Sequence, residues 1–157
     1  PEGIAAPLLD SICRKELWQE QLDYRHGTGH GVGFALNVHE GPQVLSYYAP
    51  ITPYSGMKAG MITSNEPGLY REGQWGIRLE NLVVNQPMAD AQSDYGNFLY
   101  FETLTLCPFD YRCIDMALLN ESERRWLNDY HALVWEKLSP HLTGSAKDWL
   151  QRMTQQQ

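Results

Sequence analysis

Apolar and polar positions along the chain change rhythm three times. Leu8, Leu9, Ile12 and Cys13, with Leu17 and Trp18 beyond them, recur at helical spacing. Pro7 suits the first turn of that helix, where its missing N–H costs nothing. From residue 26 the rhythm breaks. Gly27, Gly29, Gly31 and Gly33 alternate with larger residues, which argues for a loop or strand. Residues 34–39 predict a short strand, and residues 40–60, with Pro42, Pro50 and Pro53, predict mostly loop. Two β-like runs follow, Met61–Glu66 and Gly76–Val84, with a turn over 70–74 between them; Phe98–Leu106 alternates as a further strand. From Pro108 a helical period returns. Asn120 with Glu123 marks a helix start, and Trp126, Tyr130, Val134 and Leu138 form an i, i+4 stripe. Pro140 ends that helix. Ser145 is placed to cap another, with Trp149, Leu150 and Met153 turned inward and a frayed tail over 155–157.

With 157 residues, 43% of them hydrophobic and 20% charged, the chain has the make-up of a soluble globular domain with room for a core. A net charge of −7 tells against nucleic acid as a partner, because phosphate binding needs a basic face. It also suits a chain that gathers carboxylates around a cation. No apolar run approaches the roughly 18 residues of a membrane span, so no membrane partner is expected. Cys13, Cys107 and Cys113 are odd in number and form no CxxC, which predicts reduced thiols in the cytoplasm; a Cys107–Cys113 bridge is the alternative. The chain opens on Pro1 and enters a helical pattern almost at once, as a piece of a longer protein would.

The candidate chemistry sits in two places. His26, His30 and His39 fall within fourteen residues, interleaved with glycines. Imidazoles bind metals and move protons near neutral pH, and glycines let backbone approach a ligand. His26 and His30 lie four apart, but without a helix this is not the HExxH arrangement. Glu66 and Glu80 are the second place. A hairpin symmetric about Gly73 sets them opposite each other, with Cβ atoms about 5 Å apart. Facing carboxylates repel, so one takes a proton or a cation lies between them. The plainer reading makes Glu66 a strand end and pairs Glu80 with Arg78 or another surface cation. His131 and His141 read as structural.

Read together, HGTGHGVG at 26–33, NVHEGP at 37–42, NEPGLY at 65–70 and WGIRLEN at 75–81 resemble the Xaa-Pro aminopeptidase (aminopeptidase P) branch of the pita-bread metallopeptidases. The resemblance implies an α+β fold: residues 1–108 as the C-terminal half of the catalytic domain, a curved antiparallel sheet with flanking helices, and residues 109–157 as a C-terminal helical region. It implies hydrolysis of the N-terminal Xaa-Pro bond of a peptide with proline second. Two divalent cations are implied, usually manganese, with zinc or cobalt also acceptable to such donors. By the same resemblance, His30 binds metal, Glu66 binds metal and shuttles the proton, and Glu80 bridges two metals. His26 and His39 line the substrate pocket, and Arg78 orients the metal-site carboxylates.

The resemblance also implies two aspartate ligands upstream of His30. Only Asp10 and Asp23 lie there, and neither stands in the family's aspartate motif. The isolated chain is therefore expected to be inactive and to hold one cation or none. Its expected partners are the missing N-terminal half, a peptide substrate and further copies of itself. Two other readings stand beside this one: a prolidase-type Xaa-Pro dipeptidase, and a non-catalytic binding or dimerisation module.

Overall fold

The computed structural model describes residues 1–35, 37–88 and 93–156. These form two compact units, Pro1–Thr105 and Leu106–Gln157. The division falls before residue 108 because Leu106 packs with Phe109 against Tyr130, Val134 and Leu150, while the Cys107 N–H bonds the Tyr130 hydroxyl.

The first unit opens with helix α1 (Ala6–Gln19), which has Pro7 in its first turn and no side-chain cap. Its buried face is not the apolar stripe expected from the sequence. Ala6, Pro7, Asp10 and Arg14 are buried, whereas Leu8 and Ile12 are exposed. Two short strands follow, β1 (Gly29–His30) and β2 (Val44–Leu45), paired antiparallel. The strand expected over 34–39 does not form among the described residues; Leu36 lies outside them. The segment turns back on itself instead, with the Gly33 N–H bonding Asn37 O and the Glu40 N–H bonding Gly31 O, and Phe34 is fully exposed.

Next come β3 (Ile62–Asn65), β4 (Gly68–Arg71), β5 (Trp75–Arg78), β6 (Asn81–Pro87) and β7 (Leu99–Thr103). Strands β3, β6 and β7 make one antiparallel sheet in the order β3-β6-β7, and β4 with β5 makes a hairpin. Gly73 turns that hairpin at φ +69°, a left-handed conformation that costs glycine nothing. Asn65 pairs with Asn81 and Gly68 with Arg78, so both ladders keep one register on either side of Pro67. Glu66 and Glu80 fall opposite each other in that register, between the two ladders. A small core of Ala6, Leu45 and Met57, with Ile4, Leu9 and Leu99 against it, sits between α1 and the strands.

The second unit holds α2 (Glu121–Leu138) and α3 (Gly144–Met153). Asn120 and Glu123 close a full capping box at the start of α2. The buried face of α2 is Leu127, Tyr130, His131 and Val134; Trp126 is half exposed and stacks on Tyr130 at 5.4 Å. Helix α3 begins two residues earlier than the sequence suggests. Thr143 is its N-cap and Ser145 lies inside it. Leu150 is buried, while Trp149 is half exposed. Of the tail expected to fray, Gln157 lies outside the described residues. His131 is structural: its Nε2 accepts the Phe109 N–H at 2.9 Å and its Nδ1 bonds the Tyr111 hydroxyl at 2.6 Å. All three cysteines are free and exposed, and no Cys107–Cys113 bridge forms.

Candidate functional site

The site is built where β1 lies across β3. Gly31 bridges Thr63, the Val32 N–H bonds Ile62 O at 3.1 Å, and the Glu66 N–H bonds Thr28 O at 2.7 Å. The approach is so close that a Cβ on Gly29 would stand 1.8 Å from the Ser64 carbonyl oxygen. Glycine at 29 is therefore what brings the histidine segment onto the strand that ends at Glu66.

His30 and Glu66 meet as a result, Nε2 to Oε1 at 3.1 Å, both mostly buried. The His30 Nδ1–H donates to Gly31 O at 2.9 Å, which leaves Nε2 with its lone pair facing the carboxylate. Two acceptors aimed at one point need a positive charge between them, a proton or a cation. Ser64 fixes the arrangement, its hydroxyl accepting the His30 N–H and donating to Glu66 Oε1, both at 3.0 Å. The other carboxylate oxygen accepts Arg78 Nη1 at 2.8 Å.

Arg78 reaches further. Its Nε–H donates to the Tyr70 hydroxyl at 2.9 Å, and that hydroxyl donates to His26 Nε2 at 2.9 Å. His26 is committed to this role, because its Nδ1–H donates to Gly27 O at 2.8 Å. Hydrogen bonding to Tyr70 and the nearby charges of Glu66 and Glu80 push the Arg78 guanidinium above its ordinary pKa. His39 is exposed and lies over the His30 ring, centroids 4.1 Å apart. These groups line a cleft of about 390 Å³ that His26, His30, His39, Glu66 and Arg78 share.

The structure thus brings together His26, His30, His39, Glu66 and Arg78. It does not close the expected three-ligand set. Glu80 is exposed, and among the described residues no group of three histidine, cysteine or acidic side chains is close enough to hold an ion. The physical reason is that Arg78, rather than a second carboxylate, partners Glu66. Asp10 and Asp23 do not complete the set either, since both bond Arg14 on α1. Donor chemistry at His30 and Glu66 fits a divalent cation, but two ligands alone hold one weakly. Tyr70 is the site residue that the motif reading passed over.

Residues 1–87 match the metallopeptidase family M24, and residues 97–157 match the C-terminal region of peptidase M24. The chain belongs to metallopeptidase family M24. Similar proteins include ones named Xaa-Pro aminopeptidase P and aminopeptidase P2. A probable Xaa-Pro aminopeptidase P of Coprinopsis cinerea is 48% identical over 98% of this chain and 25% of its own length. Aminopeptidase P2 of Arabidopsis thaliana is 50% identical over 96% of this chain and 21% of its own. The crystal structure of an X-prolyl aminopeptidase from Caenorhabditis elegans, described as a cytosolic enzyme with a di-nuclear active site, superposes with a TM-score of 0.86. It is 38% identical and covers 100% of this chain and 25% of that one. The M24 fold here is accordingly α+β, the C-terminal half of the pita-bread architecture. The chain spans about a quarter of the length of these relatives.

Proposed function

We propose that these residues form the C-terminal portion of a dinuclear-metal exopeptidase that hydrolyses the N-terminal Xaa-Pro bond of peptides. The observation that carries this reading is the His30–Glu66 pair, whose two acceptors face each other across 3.1 Å in a histidine-lined cleft. His30, Glu66 and Glu80 are the residues of this chain that would hold the cations. Bound divalent cations, manganese first among them, supply charge that polarises the scissile carbonyl and acidifies water near neutral pH.

This chain's own residues do the rest. Glu66 takes the proton of the attacking water and delivers it to the proline nitrogen as the C–N bond breaks. Ser64 and Arg78 hold its two oxygens, so the carboxylate does not rotate between the two transfers. His39, free at the mouth of the cleft, donates to the developing oxyanion. His26, held by Gly27 and Tyr70, forms the wall against which the substrate rests. The proline nitrogen carries no N–H, so recognition rests on the shape of the ring. The worm enzyme is described as cytosolic, and three exposed free thiols suit the same setting for this protein.

The 157 residues alone lack the aspartate ligands and are inactive in this reading. Their exposed Trp75, Ile77 and Leu79 drive self-association, which sedimentation velocity reads. The test is metal content together with hydrolysis. The full-length protein should retain two manganese ions and release the first residue of an Arg-Pro-Pro peptide. The 157-residue chain in manganese should release none. A full-length protein that binds no metal supports the non-catalytic module instead.

A further inference from the structure

Helix α1 turns a charged face inward, and that face ends at the candidate site. Arg14 has no exposed surface at all. Its Nε donates to Asp10 at 2.9 Å, and its Nη1 donates to Asp23 and to the Tyr24 carbonyl, both at 2.6 Å. Its Nη2 donates to the carbonyl of His26. The guanidinium also lies 3.8 Å above the Tyr24 ring, and the His26 ring lies 4.9 Å from the same ring. Asp10 uses its remaining lone pairs on the same segment and on the residues after β2, accepting from the Thr28 N–H and hydroxyl and from the Tyr47 N–H at 2.8 Å. The carbonyl of Thr28 in turn accepts the Glu66 N–H.

A buried ion pair of this kind is a poor device for stability, because desolvation offsets most of its Coulombic gain. It is a good device for register, since a planar guanidinium fixes several acceptors at set angles. We propose that Arg14, held by Asp10 and Asp23, is a positioning residue that sets His26 and, through Asp10 and Thr28, the backbone of Glu66. His26 is then fixed from behind by Arg14 and Tyr24 and from in front by Tyr70. Its Nε2 is kept facing the cleft in the Nδ1–H tautomer. Lysine at position 14 keeps the charge and loses the fork, so it serves Asp10 but not both carbonyls.

The consequence for catalysis rests on the Xaa-Pro reading, but the placement of His26 does not. The test therefore has two arms on the full-length protein. In the first, metal-free wild type, Arg14→Lys and Asp23→Asn are compared by histidine-selective nitrogen–proton correlation spectra. Wild-type His26 shows one Nδ1–H tautomer. Both variants should shift its signals, and Arg14→Lys should show tautomer exchange. In the second arm, Arg14→Lys lowers kcat on an Arg-Pro-Pro peptide by roughly tenfold to a hundredfold, the scale of a small misplacement, with KM changed far less. If the melting temperature falls while the His26 signals stay those of wild type in both variants, Arg14 is merely structural and the proposal is overturned. Should Arg14→Lys not fold, Asp23→Asn decides by the same spectra, because Asp23 is the more exposed partner. A wild type that cleaves no Xaa-Pro peptide sinks the functional reading and leaves the spectral arm standing.

Discussion

The hydroxyl of Tyr70 stands between Arg78 and His26, accepting from one and donating to the other. Tyr70→Phe removes both bonds and leaves the ring in place. Steady-state kinetics should show a loss of roughly tenfold to a hundredfold in kcat/KM, the scale of a small misplacement of site groups, with the melting temperature nearly unchanged. His26, His30, His39 and Glu66 stood out in the sequence because their side chains are of types that move protons or bind metal, whereas Arg78 entered only through the resemblance. Tyr70 did not stand out, since a tyrosine two residues into a strand reads as packing until its oxygen is seen between two site groups. Asp10 and Asp23 were legible as carboxylates outside the expected motif. Only the fold shows why they are unavailable: burial alone would raise the Asp23 pKa, but hydrogen bonds from Arg14, Trp18 and the Tyr24 N–H outweigh it and hold it below the usual carboxylate range.

Elements differ in how much of their pairing a sequence can carry. The β4–β5 register follows from one glycine at a left-handed turn, and the pairing Gly68 to Arg78 extends in step to Asn65 and Asn81 beyond Pro67. Residues 34–39 depart from the pattern because the described apolar residues there, Phe34, Ala35 and Val38, are exposed; Phe34 is the extreme case. Helix α1 fooled it in the opposite sense. Leu8 and Ile12 keep the helical spacing yet are exposed, while the i, i+4 pair Asp10 and Arg14 is buried. The contact between β1 and β3 is the element pairing on which the site depends. Gly29→Ala drives a methyl into the Ser64 backbone, which cannot yield as a side-chain tip can. Urea denaturation should show a loss of about 1–3 kcal/mol, the cost of overpacking. Wild-type stability in that variant would mean that β1 does not press on β3 as described.

The whole molecule divides into units whose stabilities answer to different groups. The Leu106–Gln157 unit buries His131, and desolvation lowers its pKa from the ordinary 6.5. The neutral ring is the folded form, because Nε2 must accept the Phe109 N–H. A base whose folded pKa lies below its unfolded one contributes stability in full above the unfolded value. That contribution is lost as the pH falls below 6.5 towards the lowered folded value. Acid titration followed by tryptophan fluorescence should therefore show the helical unit weakening below pH 6.5, and a His131→Gln variant should lose that dependence. At the same scale, the chain accounts for about a quarter of its relatives' length, and in the proposed metal centre His30 and Glu66 would be only part of the ligand set.

Hydrolysis of an Arg-Pro-Pro peptide by the manganese-loaded full-length protein, with and without Glu66→Gln, tests the central claim most directly. The account predicts release of free arginine by the wild type and a loss of about 10²–10⁴-fold in the variant, the worth of a positioned general base. A Glu66→Gln protein that cleaves at the wild-type rate would contradict it.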